Sequence, residues 1–275
     1  MKKIAASFEA FTVYKNKLYA ALYSFNAIIC LDLISEELTV VSYLDEEDVL
    51  GKRLIGDMCI LDNYLFLVPM TANAIYKIDL DTNDLSSISL DIGRAESYTG
   101  YLSESKFLSV HQCDGRLFLF PATYPAIVEV NTNSNEIIYH DAWVKDIAGK
   151  GRKEENAFFR KTLKVGGCVY APICSMNAML IFDMEKKKHN IIEIDKGQEG
   201  FSGVCFDGEN YWFSPRTGNS VIKWNDNSGK IERIKYSYDK SYLPSNIIYF
   251  NGYVWVLPLN GRSIFRVNIE DNHTQ

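Results

Sequence analysis

Four histidines, six cysteines and a scatter of arginines carry most of the reactive chemistry this 275-residue chain offers. His111 is the histidine whose position suits a general base. Asp57 can orient it or act as an acid, and Arg160 can stabilise an oxyanion, so these three describe a lyase- or hydrolase-type centre. His140, His189 and His273 fall in outer strands, turns or the tail and show no metal-ligand spacing. The cysteines, at positions 30, 59, 113, 168, 174 and 205, form no C-x-x-C pair and sit mostly in apolar runs, where a reduced thiol acts as a small hydrophobe. No metal, cofactor or disulfide framework is therefore expected. Gly-x-Ser-x-Gly is absent, and Gly149-Lys150-Gly151-Arg152-Lys153 lacks the strand-to-helix setting of a phosphate-cradling loop.

Binding chemistry is better represented. Arg53, Arg94, Arg160, Arg216 and Arg262 recur in segments between apolar runs, and the planar guanidinium fork suits carboxylate, sulfate or phosphate. Asp57, His111, Arg160 and Asn246 occupy equivalent or neighbouring positions of a repeat and are expected to converge on one ligand. Tyr98, Tyr101, Tyr124 and Trp143 stand in loops from which aromatic rings can stack on a sugar or base. The expected partner is a small anionic ligand, a glycan or another protein. The site expectation is Arg53, Asp57, Arg94, Tyr98, His111, Tyr124, Arg160, Arg216, Asn246 and Arg262.

The elements that must position these residues repeat along the chain. Pro69, Pro121, Pro172, Pro215 and Pro258 each end an apolar run such as Phe66-Leu67-Val68-Pro69, and Leu22 holds the matching place at the start. Their spacings are 47, 52, 51, 43 and 43 residues. Six or seven residues before each anchor stand Lys15-Asn16, Asp62-Asn63, Asp114-Gly115, Gly166-Gly167, Gly208-Glu209 and Asn251-Gly252, several of them pairs that accept positive φ and close hairpins. About ten residues after each anchor, Asp32, Asp79, Asn131, Asp183, Asn225 and Asn268 open a second polar turn. The runs between are four to eight residues long and rich in Ile, Val, Leu, Tyr and Phe, which is strand composition and strand length.

Six such units read as an all-β, six-bladed β-propeller of four-stranded antiparallel blades. One domain over 1–275 is expected, with blades at approximately 8–44, 55–92, 107–143, 158–195, 201–238 and 244–270. The last unit supplies three strands and then runs out at Glu270 to Gln275. The surplus segment 2–7 is expected to pair with its third strand and close the ring, since an open circle leaves unpaired edges. The segments Pro69 to Ile75 and Pro215 to Val221 carry a resemblance to the β-propeller superfamily, without the signature motifs of WD40, Kelch or sialidase repeats. That resemblance implies a ligand face where the B–C loops and D–A connections gather around a central channel.

Composition sets the outer limits. The chain is 47% hydrophobic and 23% charged, enough for a packed interior, and its net charge of −6 argues against a protein built to coat nucleic acid or an anionic membrane. No apolar run reaches the length of a membrane span, and Glu9 interrupts the amino terminus before a signal-type apolar core. A cytoplasmic monomer is the expectation. Two readings of function remain: a non-catalytic ligand- or protein-binding propeller, and a lyase or hydrolase working at the channel mouth.

Overall fold

The computed structural model describes residues 7–94, 105–147, 150, 157–197, 199–237, 243–260 and 263–275. The expected ring-closing segment 2–7 lies outside them except for Ser7, as do Tyr98, Tyr101 and Arg262. The chain is all-β and divides into two compact units, residues 1–141 and 142–275.

The first unit holds three four-stranded antiparallel sheets. Sheet 1 comprises β1 (Phe8–Tyr14), β2 (Lys17–Leu22), β3 (Ile28–Asp32) and β4 (Leu38–Ser42). Sheet 2 comprises β5 (Ile55–Leu61), β6 (Tyr64–Pro69), β7 (Ala74–Asp79) and β8 (Leu85–Ser89). Sheet 3 comprises β9 (Phe107–Cys113), β10 (Arg116–Pro121), β11 (Ile127–Asn131) and β12 (Ile137–His140). The second unit holds sheet 4, with β13 (Leu163–Val165), β14 (Cys168–Pro172), β15 (Ala178–Asp183) and β16 (Lys188–Glu193). Sheet 5 follows with β17 (Phe201–Phe206), β18 (Tyr211–Pro215), β19 (Ser220–Trp224) and β20 (Ile231–Lys235). Sheet 6 has β21 (Leu243–Phe250), β22 (Tyr253–Asn260) and β23 (Phe265–Asn268). Within every sheet the strands pair in chain order.

Two turn types make this meander. The first turn of each sheet contains a residue at positive φ, namely Lys15, Asp62, Asp114, Gly166, Gly208 and Asn251. The second turn is the same structure six times. The Asp or Asn at its head accepts backbone N–H groups on its side chain, as Asp32 does from Ile34 at 2.9 Å and Asp183 from Lys186 at 2.8 Å. The residue four further on (Glu36, Asn83, Asn135, Lys187, Gly229, Asn272) takes positive φ and donates its N–H to the head residue's carbonyl at 2.8 to 3.0 Å. Local side-chain chemistry alone forms this Asx turn.

Neighbouring sheets are joined by a repeated backbone clasp from the entry of one first strand to the loop after the previous second strand. Arg53 N–H donates to Tyr23 C=O and Lys106 N–H to Met70 C=O, both at 2.8 Å, and Phe201 N–H donates to Ile173 C=O at 3.0 Å. Cores fill the spaces between: Tyr19 and Ile28 with Leu65, Leu67 and Tyr76 between sheets 1 and 2, Phe66 and Ile75 with Phe107 and Leu117 between sheets 2 and 3. Phe201, Phe213 and Trp224 centre the core against sheet 4, and Trp212, Val221 and Val254 that between sheets 5 and 6.

The structure departs from the sequence expectation in two places. Sheet 4 begins at Leu163 rather than Phe158, because Phe158 and Phe159 turn onto Trp143, at ring distances of 5.0 and 5.1 Å, and leave the strand short. The carboxy-terminal tail does not run out. Asn268 opens the sixth Asx turn and sends the chain back, so that Arg266 and Gln275 exchange two backbone hydrogen bonds at 3.0 and 3.1 Å and Asn268 N–H meets His273 C=O at 2.9 Å. The tail thus occupies the start of the fourth-strand place beside β23.

Candidate functional site

On the loop side of sheet 1, the β2–β3 loop and the connection from β4 to β5 are drawn into one surface by Asn26. Its side-chain amide donates to Leu44 C=O at 2.8 Å and Glu47 C=O at 3.1 Å, and its Oδ1 accepts Leu44 N–H at 2.8 Å. Asn26 N–H also reaches Val49 C=O at 3.2 Å. Asn26 itself is 3% exposed, so these bonds are shielded from water and hold the loops firmly. What they hold outward is apolar: Tyr23, Phe25, Tyr43, Val49 and Leu50 are all exposed, the last two at 73% and 66%. The Arg53 guanidinium lies 5.9 Å from the Tyr23 ring. Exposed Asp45, Glu46 and Asp48 surround the patch, while Glu47 turns inward to accept from Asn73 N–H at 2.6 Å and Tyr76 Oη at 3.0 Å.

The residues expected to form the site have varied fates. In the first unit Asp57 accepts Met58 N–H and, across the sheet boundary, Val110 N–H, both at 3.0 Å, so its carboxylate fastens β5 to β9. His111 sits on β9 with its ring edge-on to Phe120 at 5.7 Å. Arg94 bonds Asp141 at 2.7 Å and stacks 4.6 Å over the Tyr139 ring. Tyr124 is fully buried against Phe107 and Tyr139, and its hydroxyl donates to Asp91 C=O at 2.7 Å. It is a core side chain, since the β10–β11 loop folds inward. In the second unit Arg160 and Arg216 are half-buried, Arg216 N–H meeting Gly200 C=O at 2.8 Å, and Asn246 caps Ile247 N–H at 2.8 Å. Trp143 is likewise buried rather than displayed.

Two polar groupings escaped the sequence reading. In the second unit Asn177, Asp195, Glu199 and Arg233 bond one another, with Asn177 reaching Asp195 at 2.7 Å and Glu199 at 2.8 Å, and Arg233 reaching Asp195 at 2.6 Å. Burial pushes the Glu199 carboxyl up, but the hydrogen bonds it accepts outweigh this and hold it below its usual range. Mutual satisfaction makes this cluster a brace between sheets 4 and 5. On the turn side of sheets 1 and 2, a cleft of about 510 Å³ is lined by Tyr14, Lys15, Lys17, Tyr19, Asp32 and Asn63 among others. Neither grouping has a sequence signature, because each joins residues from different repeats.

Reactive chemistry is muted. Burial pushes the Cys59 thiol up to about 12 and raises that of Cys205, so neither is a thiolate at neutral pH. All six cysteines are free. Among the described residues no group of three or more His, Cys, Asp or Glu is placed to hold a metal, and no helix is long and apolar enough to cross a membrane.

No protein-family model and no curated protein matches the chain. Solved structures do. A catalytically inactive virginiamycin B lyase from Staphylococcus aureus, with quinupristin, superposes with a TM-score of 0.74 at 14% identity, covering 100% of this chain and 85% of that one. A streptogramin B lyase gives 0.70 at 14% identity, covering 98% and 81%. An extracellular domain from B. thetaiotaomicron gives 0.64 at 13% identity, covering 94% of this chain and 32% of that one. At such identities the likeness is one of fold alone, and that fold is a β-propeller.

Proposed function

We propose that this chain is a non-catalytic binding propeller that captures a protein segment carrying apolar and basic side chains on the loop side of sheet 1. One observation carries the reading: five exposed large apolar residues lie on loops locked by a buried asparagine and are rimmed by Asp45, Glu46 and Asp48. Exposed apolar patches with a polar rim mark interaction surfaces, and loops held in place before binding lose little entropy on contact. An acidic rim disfavours the anionic ligand that scattered arginines suggest, and attracts a cationic one. The Asp57 carboxylate, engaged by two backbone amides, serves the joint between sheets 2 and 3, which supports binding over acid–base chemistry.

An array of short synthetic peptides tests this, one set combining Leu or Phe with Arg or Lys and a matched set with Asp or Glu. The basic set binds and the acidic set does not, affinity falls with added salt, and the pair Phe25→Ala with Leu50→Ala weakens binding at least about tenfold at unchanged melting temperature. Equal binding of both sets, or binding indifferent to Phe25 and Leu50, overturns the reading.

A further inference from the structure

The cleft between sheets 1 and 2 lies within the first unit, at the turn ends of both sheets, and its origin is visible in the repeat. In sheet 2, Lys77 of β7 sends its ammonium group over two rings of β6, Tyr64 at 3.7 Å and Phe66 at 5.5 Å. It then donates to Thr132 C=O, in the second turn of sheet 3, at 3.5 Å. Lys77 thus occupies the gap between sheets 2 and 3. The same position holds Lys223 over Trp212 in sheet 5, at 5.0 Å, and Arg266 over Tyr253 in sheet 6, at 4.5 Å. Each is a cation committed to a ring of its own sheet. In sheet 1 the counterpart is Cys30. Like Lys77 it stands two residues before the Asp that heads the second turn, and it pairs with Tyr19 of β2 as Lys77 pairs with Phe66 of β6. A cysteine is too short to cross to the next sheet, and Lys17 stands where sheet 2 has Tyr64. The gap is left open as the cleft of about 510 Å³.

We propose that this cleft binds a small molecule that joins an aromatic ring to a single carboxylate. Its walls supply both halves. Tyr14 and Leu80 are half-buried and Tyr19 is buried, so together they form an apolar bed against which a ring can lie. Lys15 and Lys17 line the same cleft and are exposed. The Lys15 ammonium lies 4.9 Å from the Tyr14 ring, and neither lysine makes an ion pair with a described residue. Asp32, opposite Lys17 across the strand pair, already accepts Ile34 and Ser35 N–H on Oδ1, at 2.9 and 3.0 Å. Asp81 is exposed on the sheet 2 wall. Two ammonium groups and two carboxylates leave the cleft close to neutral. A polyanion therefore gains little from its field, whereas one carboxylate set beside the lysines gains charge-assisted hydrogen bonds. The volume, and an apolar bed with few polar groups, are those of a small-molecule site. This cleft is at the other end of sheet 1 from Phe25 and Leu50 and functions independently of them.

Amide-resolved NMR titration of the full chain reads the site, with 3-phenylpropionate as the probe. The controls are 3-phenylpropan-1-amine, propionate and inorganic phosphate. The probe shifts the amides that line the cleft, those of Lys15, Lys17 and Asp81 among them, with a Kd of about 1 mM or tighter, and the controls leave them in place at equal concentration. Lys17→Gln, at an exposed position, weakens binding about fivefold at an unchanged melting temperature, and adding Lys15→Gln removes it. Cys30→Lys, which restores the arrangement of sheet 2, closes the cleft and abolishes binding. A probe that shifts nothing overturns the proposal, as does equal binding of any control. So does an affinity that Lys17→Gln leaves unchanged, or full binding by a folded Cys30→Lys chain. Shifts that fall instead on the loops around Phe25 and Leu50 also overturn it, and leave the peptide patch to its own test.

Discussion

Replacing Asn26 by alanine removes the side chain that ties the β2–β3 loop to the connection between sheets 1 and 2. Three hydrogen bonds disappear, and the Leu44 N–H and C=O are left without partners in a buried position. Each stranded buried group costs about 1–3 kcal/mol, so the pair sets a loss of about 2–6 kcal/mol. For a chain of this length that corresponds to a fall in melting temperature of roughly 5–15 °C. Asn26→Asp is no milder: one carboxylate oxygen still accepts Leu44 N–H, but the other then faces the Leu44 and Glu47 carbonyls, acceptor against acceptor. Amide exchange read residue by residue is the assay of choice, because it localises the effect. Leu44 N–H exchanges far faster in both variants, and protection in the cores of sheets 4 to 6 is retained. A stability change below about 0.5 kcal/mol, or a Leu44 amide as protected as in wild type, refutes the claim that Asn26 organises this surface.

Glycine replacements separate space from backbone angle. A Cβ at Gly56 would lie 2.1 Å from Phe107 C=O across the boundary between sheets 2 and 3, so Gly56→Ala forces the sheets apart and costs more than about 4 kcal/mol by urea denaturation. Gly115 has open space around it but a φ of +70°, so Gly115→Ala costs about 1 kcal/mol. Equal costs for the two would show that sheets 2 and 3 are not closely packed at Gly56. Asp207 predicts a pH dependence. Burial pushes its carboxyl up, yet the Asn210 and Glu209 N–H groups and Trp212 Nε1, the last at 2.6 Å, hold it below the usual range. Its folded value lies below its unfolded one, so its contribution is complete above about pH 4 and is lost as pH falls through the folded value. Asp207→Asn is therefore destabilised at pH 7 and converges with wild type as the pH falls through the folded value of Asp207, followed by tryptophan fluorescence. A gap that is constant with pH counts against this account.

How much was legible in the sequence follows from the range of the forces involved. The turns were, because an Asp or Asn at the head of a loop and a residue tolerant of positive φ act over four or five residues. Asp32, Asp79, Asn131, Asp183, Asn225 and Asn268 each build the same turn from their own side chain. Strand composition and the proline that closes β6, β10, β14 and β18 are equally local, and together with the turns they mark all six sheets. Asn268 shows the limit of reading by analogy: the turn was visible, but not that it would carry the tail back to β23.

Exposure was not legible, since it depends on what a distant segment brings. Tyr124 and Trp143 looked like loop aromatics available for stacking, and packing against Phe107, Tyr139, Phe158 and Phe159 made them core. Phe25 and Leu50 looked unremarkable and became a surface, because Asn26 bonds a loop 18 residues away. Asp57, a candidate orienting or acid group by its place in the repeat, also accepts Val110 N–H of the next sheet, a contact that sequence spacing does not reveal. Local chemistry thus determined which elements form, while the pairing of sheets determined which of their side chains meet water, and with them the candidate site.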